Sequence, residues 1–440
     1  MIRRVALSYL LLHALAAHGD TSAVSDTTVI QGATLHTLGA QGIIENSTII
    51  VRDNVIASVT GSGNAEIPEG ARRIDAHGMV ITPGLFAAIS RVGLVEVNGV
   101  VASADFVQRG DHFSASFDIA DAYNPRSTLV AVNRAEGVTT ALTAPYAARP
   151  DSAGKSSVFS GQGAVVHLGS PEDAIDTRGA VVVAQLSKLP SSPVGSPVIH
   201  SRAETLQTIR AGLDDALHYH RNRSRYDRGN TRPYTLSQAD MLVLKRVLDG
   251  DVPLLVAANR ASDISALIRL AKDYDLRLIV LGGAEAWLVA AELAEIGASV
   301  ILDATGNLPR NFDLINARLD SAKMLDEAGV TISFGAGLRI HNLGNLTQAA
   351  GIAVAHGLSY ESALAALTRN PARMYGLEDD LGSIEPGKVA NLVIWPGDPL
   401  ELTHFPSAVM VQGRMVPMQN RQTMLRDRYL KSSNLPPAFR

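Results

Sequence analysis

Residues 253–302 read PLLVAANRASDISALIRLAKDYDLRLIVLGGAEAWLVAAELAEIGASVIL, and their alternation decides the fold class. Three short apolar runs, 253–258, 276–282 and 299–302, have the length and aliphatic content of buried strands. Between them, 262–272 and 284–295 carry acids early and apolar residues at three- and four-residue spacing, the pattern of amphipathic helices. Strand, helix, strand, helix, strand is the sequence form of a parallel sheet with helical crossovers. Working outward, strand-like runs recur at 85–90, 138–144, 180–186 and 330–334. Seven or eight such units can be placed, enough to close a (β/α)8 TIM-like barrel of about 250 residues or a little more. A doubly wound open sheet is the competing arrangement, but no Gly-rich phosphate fingerprint follows any strand. A longer polar helix is expected at 201–223, followed by a loop at 227–232.

The two ends of the chain have a different texture. From 27 to 81 the runs are short and alternating, as in Ser47-Thr48-Ile49-Ile50-Val51 and Val55-Ile56-Ala57-Ser58-Val59, with Gly, Asn and Asp between them. The same texture returns in Ala390-Asn391-Leu392-Val393-Ile394-Trp395 and Ala408-Val409-Met410-Val411, before the turn Gln412-Gly413-Arg414. The expectation is a composite β-sandwich of 27–82 with 379–418, a barrel at 83–375, and a charged tail at 421–440 that is helical over 421–430.

Composition narrows the function classes. At 440 residues and a formal net charge of -4, with no long run of Lys or Arg, the chain has no electrostatic footprint for nucleic acid. No cysteine is present, which excludes disulfide staples, thiolate metal ligands and a lipid anchor on cysteine. Arg3 and Arg4 precede an apolar stretch at 5–15, and Ala14-Leu15-Ala16 supplies the small residues of a cleavage site. This reads as a signal peptide over 1–19, giving a secreted or periplasmic protein after cleavage near Ala16. A buried N-terminal helix is the alternative; a membrane span is not expected, since spanning takes about 20 apolar residues.

Three stretches resemble the amidohydrolase superfamily, in particular its imidazolonepropionase-like branch. They are Ile74-Asp75-Ala76-His77-Gly78 leading into Ile81-Thr82-Pro83-Gly84-Leu85, then 121–127, then Leu381-Gly382-Ser383-Ile384-Glu385-Pro386-Gly387-Lys388 running on to Trp395. Ala135-Glu136-Gly137-Val138-Thr139-Thr140 and Thr368-Arg369-Asn370-Pro371-Ala372 are similar to the family as well. The resemblance implies a barrel with a small β-sandwich, a zinc or other divalent metal at the strand ends, and hydrolysis of C–N bonds in cyclic amides, acylated amino acids or small peptides. It also implies where the metal ligands should stand, and those positions are altered. Ala87 replaces the expected Asp of the first strand, and Ile89 and Arg91 replace its His-x-His. The fifth-strand His-x-His-Arg reads Ala257-Ala258-Asn259-Arg260, the sixth-strand His falls at Gly282, and the eighth-strand Asp falls within Gly335-Ala336-Gly337. The fourth-strand Lys or Glu of some members has no assignable counterpart.

An aliphatic side chain has no lone pair to give, and a guanidinium is not deprotonated in a protein, so Ile89 and Arg91 cannot ligate a metal. A bound divalent ion lowers the pKa of water from about 15.7 to about 7 and polarises the scissile carbonyl. The expectation is therefore no metal cofactor and an amidohydrolase-like protein without metal-dependent activity, binding a ligand or partner through Arg91, Asn259, Arg260, Arg339 and His341 at the barrel mouth. Arg91 either meets an anion in the space vacated by the metal or fills that space and pairs with an acid. The partner classes left open are a small-molecule or anionic ligand, a homo-oligomer, and a hetero-oligomer with an active amidohydrolase. A hydrolase using a noncanonical site is the alternative function. His218-Tyr219-His220 is the only His-x-His, but on a helix residues two apart diverge, so it reads as a polar face. His112 and His167 read as capped-loop or surface histidines, and His77 as structural. Ser90, Ser160 and Ser333 sit near strand ends without a Gly-x-Ser-x-Gly elbow. The glycines of Val158-Phe159-Ser160-Gly161-Gln162-Gly163 read as turn geometry.

Overall fold

The computed structural model describes residues 27–61, 66–97, 100–109, 113–149, 157–186, 201–335 and 343–430. The expected signal segment, His112, Arg339, His341 and the end of the tail lie outside the described residues.

Strands from both ends of the chain share one sheet. Thr27–His36 is its spine, pairing antiparallel with Ile43–Arg52 and parallel with Arg72–Asp75 and Val80–Pro83. Val80–Pro83 in turn carries Leu392–Trp395, which carries Ala408–Val411. The alternation seen in the sequence has its cause here: Ile30, Leu35, Ile49, Val51, Ile56, Ile81, Leu392, Ile394 and Met410 pack into one apolar layer.

Eight further strands form the nearly closed barrel. In order round the sheet they are Leu85–Ser90, Val138–Thr143, Phe159–His167, Ile175–Gln185, Leu254–Ala258, Leu278–Gly282, Ser299–Leu302 and Thr331–Phe334. The fourth to eighth pair parallel without a break in register. Phe86, Ala88, Leu142, Val165, Val181, Val183, Leu255, Ala257, Ile279, Leu281 and Ile301 fill the interior. The buried Tyr375 joins this core and donates its hydroxyl to the Ala88 carbonyl at 2.5 Å.

The third strand corrects the sequence reading. Residues 158–163, expected as a turn, begin a nine-residue strand that is buried throughout and antiparallel to both neighbours. It reaches the fourth strand by a hairpin, so this unit has no crossover helix. Gly161 permits the arrangement: at φ +125° it accommodates the Phe117 carbonyl, which would stand 2.4 Å from any Cβ there. A strand buried on both faces has no alternation to reveal it.

The long polar helix runs over Arg202–Arg221, capped by the Ser201 side chain accepting from Glu204 N–H, and the tail helix over Arg421–Leu430. The helix expected at 284–295 is a 3-10 turn, Ala286–Val289, followed by the short helix Ala290–Glu295. Trp287 is held away from helical packing by donating Nε1–H to the Asn316 carbonyl at 3.0 Å.

Candidate ligand site at the barrel mouth

The carboxyl ends of the barrel strands bring most of the altered positions together. At the end of the eighth strand, a Cβ on Gly335 would stand 3.2 Å from Ile89 Cγ2 and 3.1 Å from Ile301 Cγ2. Ile89 and Ile301 thus fill the space into which a side chain from the eighth strand would project. On the other side of the mouth, Gly282 has φ +101° and a Cβ there would meet Asn259 Oδ1 at 2.5 Å. The Asn259 amide occupies the room a sixth-strand side chain would need. Ile89 is thus close to Gly335, and Asn259 to Gly282.

Arg91, just past the first strand, is partly buried with its guanidinium 4.2 Å over the Phe106 ring, a cation–π stack. Asn259 is 2% exposed. Arg260 is the N-cap residue of Ala261–Tyr274, and its carbonyl accepts from Asp263 and Ile264. Among the described residues its guanidinium has no ion-pair or hydrogen-bond partner. Among the described residues no group of three or more His, Asp or Glu is placed to hold a metal ion.

Gln185 is the site residue that sequence reasoning missed. It ends the fourth strand in register with Ala257, whose side chain lies in the barrel interior, so Gln185 points inward at the mouth. It is 5% exposed. Its signal was faint: one polar residue in the otherwise apolar 180–186. Among the described residues no hydrogen-bond partner reaches the side-chain amide of Gln185 or of Asn259.

The loops round this mouth are held by carboxylates. Glu285 accepts from the Ala261 N–H at 2.9 Å and from Asn316 Nδ2 at 3.0 Å, tying the loops after the fifth, sixth and seventh strands. Arg202 bridges Asp263 at 2.7 Å and Asp313 at 2.6 Å. Asp240, 2% exposed, accepts from Ser114 N–H, Ser116 N–H and hydroxyl, and Ser237 N–H and hydroxyl. Leu308, Phe312 and Ile315, on the seventh-strand loop, are exposed.

Most of the other sequence candidates have structural partners. His167 is 3% exposed, with Nε2 3.1 Å from Asp176 Oδ1 and Nδ1 3.4 Å from Thr140 Oγ1. It is a buried histidine rather than the surface or capped-loop residue expected, because the third strand carries it between two barrel neighbours. His218 pairs with the Tyr234 hydroxyl at 2.9 Å on the long helix, and His220 is edge-on to Tyr219. Ser90 donates to the Leu142 carbonyl and Ser333 to the Ala366 carbonyl. The Ser160 hydroxyl is buried without a partner. His77 Nδ1 meets Asp75 at 2.5 Å in an exposed turn of the sheet.

A parallel-type barrel with an appended sheet from both chain ends, and a mouth built at the strand ends, defines an amidohydrolase-like architecture. Comparison with known proteins agrees. Residues 198–416 match the Amidohydrolase family. An imidazolonepropionase of Klebsiella pneumoniae (strain 342) is 26% identical over 424 residues, covering 90% of this chain and 98% of that one. The amidohydrolase tasK of Hapsidospora irregularis is 23% identical over 388 residues, 83% of this chain; the match spans only 39% of that protein's length. A solved amidohydrolase from Thermotoga maritima MSB8 superposes with a TM-score of 0.76 at 25% identity, covering 89% of this chain and all of that one. The chain belongs to the amidohydrolase superfamily.

Proposed function

We propose that this protein is an amidohydrolase-superfamily member that has given up metal-dependent hydrolysis and uses its barrel mouth to bind a small-molecule ligand. One observation carries the reading. Where the resemblance sets metal ligands the chain carries Ile89 and Arg91, neither of which can ligate, and Gly282, where a Cβ would meet Asn259 Oδ1 at 2.5 Å. Without three or four protein ligands there is no ordinary route in this barrel to a hydroxide nucleophile at neutral pH. The fold itself does not argue for turnover, because barrels of one architecture host many chemistries. Arg91, Asn259 and Arg260 are the proposed binding residues, with Arg339 and His341, which follow the eighth strand in the sequence.

The test is elemental analysis of the protein purified and dialysed without chelator, together with melting curves in added zinc or manganese. Substoichiometric metal and an unchanged melting temperature are expected. A near-stoichiometric ion that survives washing, or turnover of a cyclic amide that chelator abolishes, would overturn the reading in favour of a hydrolase.

Export belongs to the same proposal. It rests on Arg3, Arg4 and the apolar stretch at 5–15. Among the described residues no helix is long and apolar enough to cross a membrane. N-terminal sequencing of the mature protein should begin a few residues after Ala16; an intact Met1 in the mature protein refutes export by cleavage.

A further inference from the structure

We propose that a cavity between the first helix of the barrel and the appended sheet binds a primary ammonium on a short apolar stem, with Glu136 as its counter-ion.

Glu136 is the C-cap residue of Thr128–Ala135 and stands two positions before the second barrel strand, Val138–Thr143. The cavity is therefore at the amino ends of the strands, away from the mouth. Its volume is about 260 Å³. Sites for drug-sized ligands hold about 300–1,000 Å³, so this one suits a smaller molecule. Val132, Trp395, Phe405 and Pro406 give it apolar walls. Helix and sheet meet closely here: a Cβ on Gly137 would stand 3.2 Å from Trp395 Cη2.

The ligand's charge follows from the groups that line the cavity. Two are carboxylates, Glu136 and Glu401, and among the described residues no Lys or Arg joins them. Glu136 is half-buried, and among the described residues no hydrogen bond or ion pair reaches its carboxylate. The helix Asn345–Ala355 begins beside it, with Gly344 leaving it room, since a Cβ there would stand 3.0 Å from Glu136 Oε2. Burial pushes the Glu136 carboxyl above its ordinary value of 4.5, a penalty that a cation would offset. His404 adds a neutral acceptor. Its Nδ1 lies 2.9 Å from the Asp398 carbonyl, which can only accept, so Nδ1 carries the proton and Nε2 of the neutral ring is an acceptor. An ammonium has three donors and no acceptor, the complement of two carboxylates and an imidazole nitrogen. A carboxylate or phosphate would meet like charge instead. The aromatic walls favour a cation further, and the apolar stem displaces water from the rest of the cavity.

The experiment measures binding to the full chain by ligand-observed NMR, with n-butylamine as the probe and 1-butanol and butyrate as neutral and anionic controls on the same stem. Butylamine should bind in preference to both controls. Glu136→Gln, which keeps volume and removes charge, should weaken it about tenfold or more, and Glu401→Gln, at an exposed position, about twofold. Gln422→Trp fills the cavity from its exposed side and should block butylamine with both carboxylates intact. Arg260→Ala at the mouth should leave butylamine binding unchanged. Nα-acetyllysine amide carries the same ammonium on a peptide unit: binding as tight as that of butylamine supports the proposal with a lysine side chain as the source, and weaker binding supports it with a free amine. Equal binding of butylamine, butanol and butyrate overturns the proposal, because it leaves only an apolar cavity. Butylamine binding that survives both Glu136→Gln and Gln422→Trp, or that Arg260→Ala abolishes, overturns it as well, and so does failure of both amines to bind.

Discussion

The two ends of the barrel treat buried polar groups in opposite ways. At the end facing the appended sheet, the groups are joined in a relay. Asp176 meets His167, His167 meets Thr140, Asn391 Nδ2 donates to Thr140 Oγ1 at 3.2 Å, and Asn391 Oδ1 accepts the Gln412 N–H at 2.7 Å. The relay crosses from barrel to sheet. At the mouth, Gln185 and Asn259 are 5% and 2% exposed, and among the described residues no hydrogen bond ties either side-chain amide to the fold. Barrel architecture predicts this division: residues at the amino ends of the strands hold the fold, and residues at the carboxyl ends face ligands. The contrast separates polar groups tied to one another within the fold from polar groups left to the mouth.

The largest effect should come from breaking the relay. His167→Ala leaves Thr140 and Asp176 without their shared partner and opens a void, and should cost about 2–4 kcal/mol in urea unfolding. A loss below about 0.5 kcal/mol, the range of an ordinary surface site, would mean that the sheet-facing end is not where stability resides. Next comes Gly282→Ala at the mouth. Its φ of +101° and the 2.5 Å approach of Asn259 Oδ1 should cost about 1–2 kcal/mol. Combined with Asn259→Ala, part of that cost should disappear, and strict additivity in the double-mutant cycle would show that the two positions do not share space.

A third test sharpens the comparison by pH. Hydrogen bonding from His167 holds the Asp176 carboxyl below its ordinary value of 3.8, with Thr177 adding to the effect and burial opposing it. A carboxyl with a depressed folded pKa contributes stability that is fully present above the unfolded value and lost as pH falls through the folded one. The gap in urea midpoint between the native protein and Asp176→Asn should therefore be constant near neutrality and close on acidification below 3.8. A gap that widens in acid would reverse the sign and refute the assignment. The smallest effect is expected at Phe312, 88% exposed on the mouth rim: Phe312→Ser should stay within about 0.5 kcal/mol of the native stability.

Much of the fold was legible because periodicity is local. The alternation of apolar runs and amphipathic stretches marked seven of the barrel strands, and the short alternating runs at the two ends marked strands that do meet in one sheet. The third strand was not legible. Its nine buried residues have neither period, and the two glycines of Gly161-Gln162-Gly163 read more simply as a turn. That Ile89 and Arg91 cannot ligate a metal was visible from residue type alone.

Chemistry that depends on residue identity was thus fixed before folding: no tertiary arrangement gives Ile89 a lone pair or Arg91 a free base. Which residues face one another at the mouth was decided only in three dimensions. Gln185 and Asn259 are 74 positions apart in the chain, and become neighbours because parallel pairing sets Gln185 beside Ala257. His167, unremarkable in sequence, is buried because an antiparallel strand carries it between two others. Periodicity and residue type act over a few neighbouring residues, whereas burial and pairing are properties of strands that meet only once the sheet has closed.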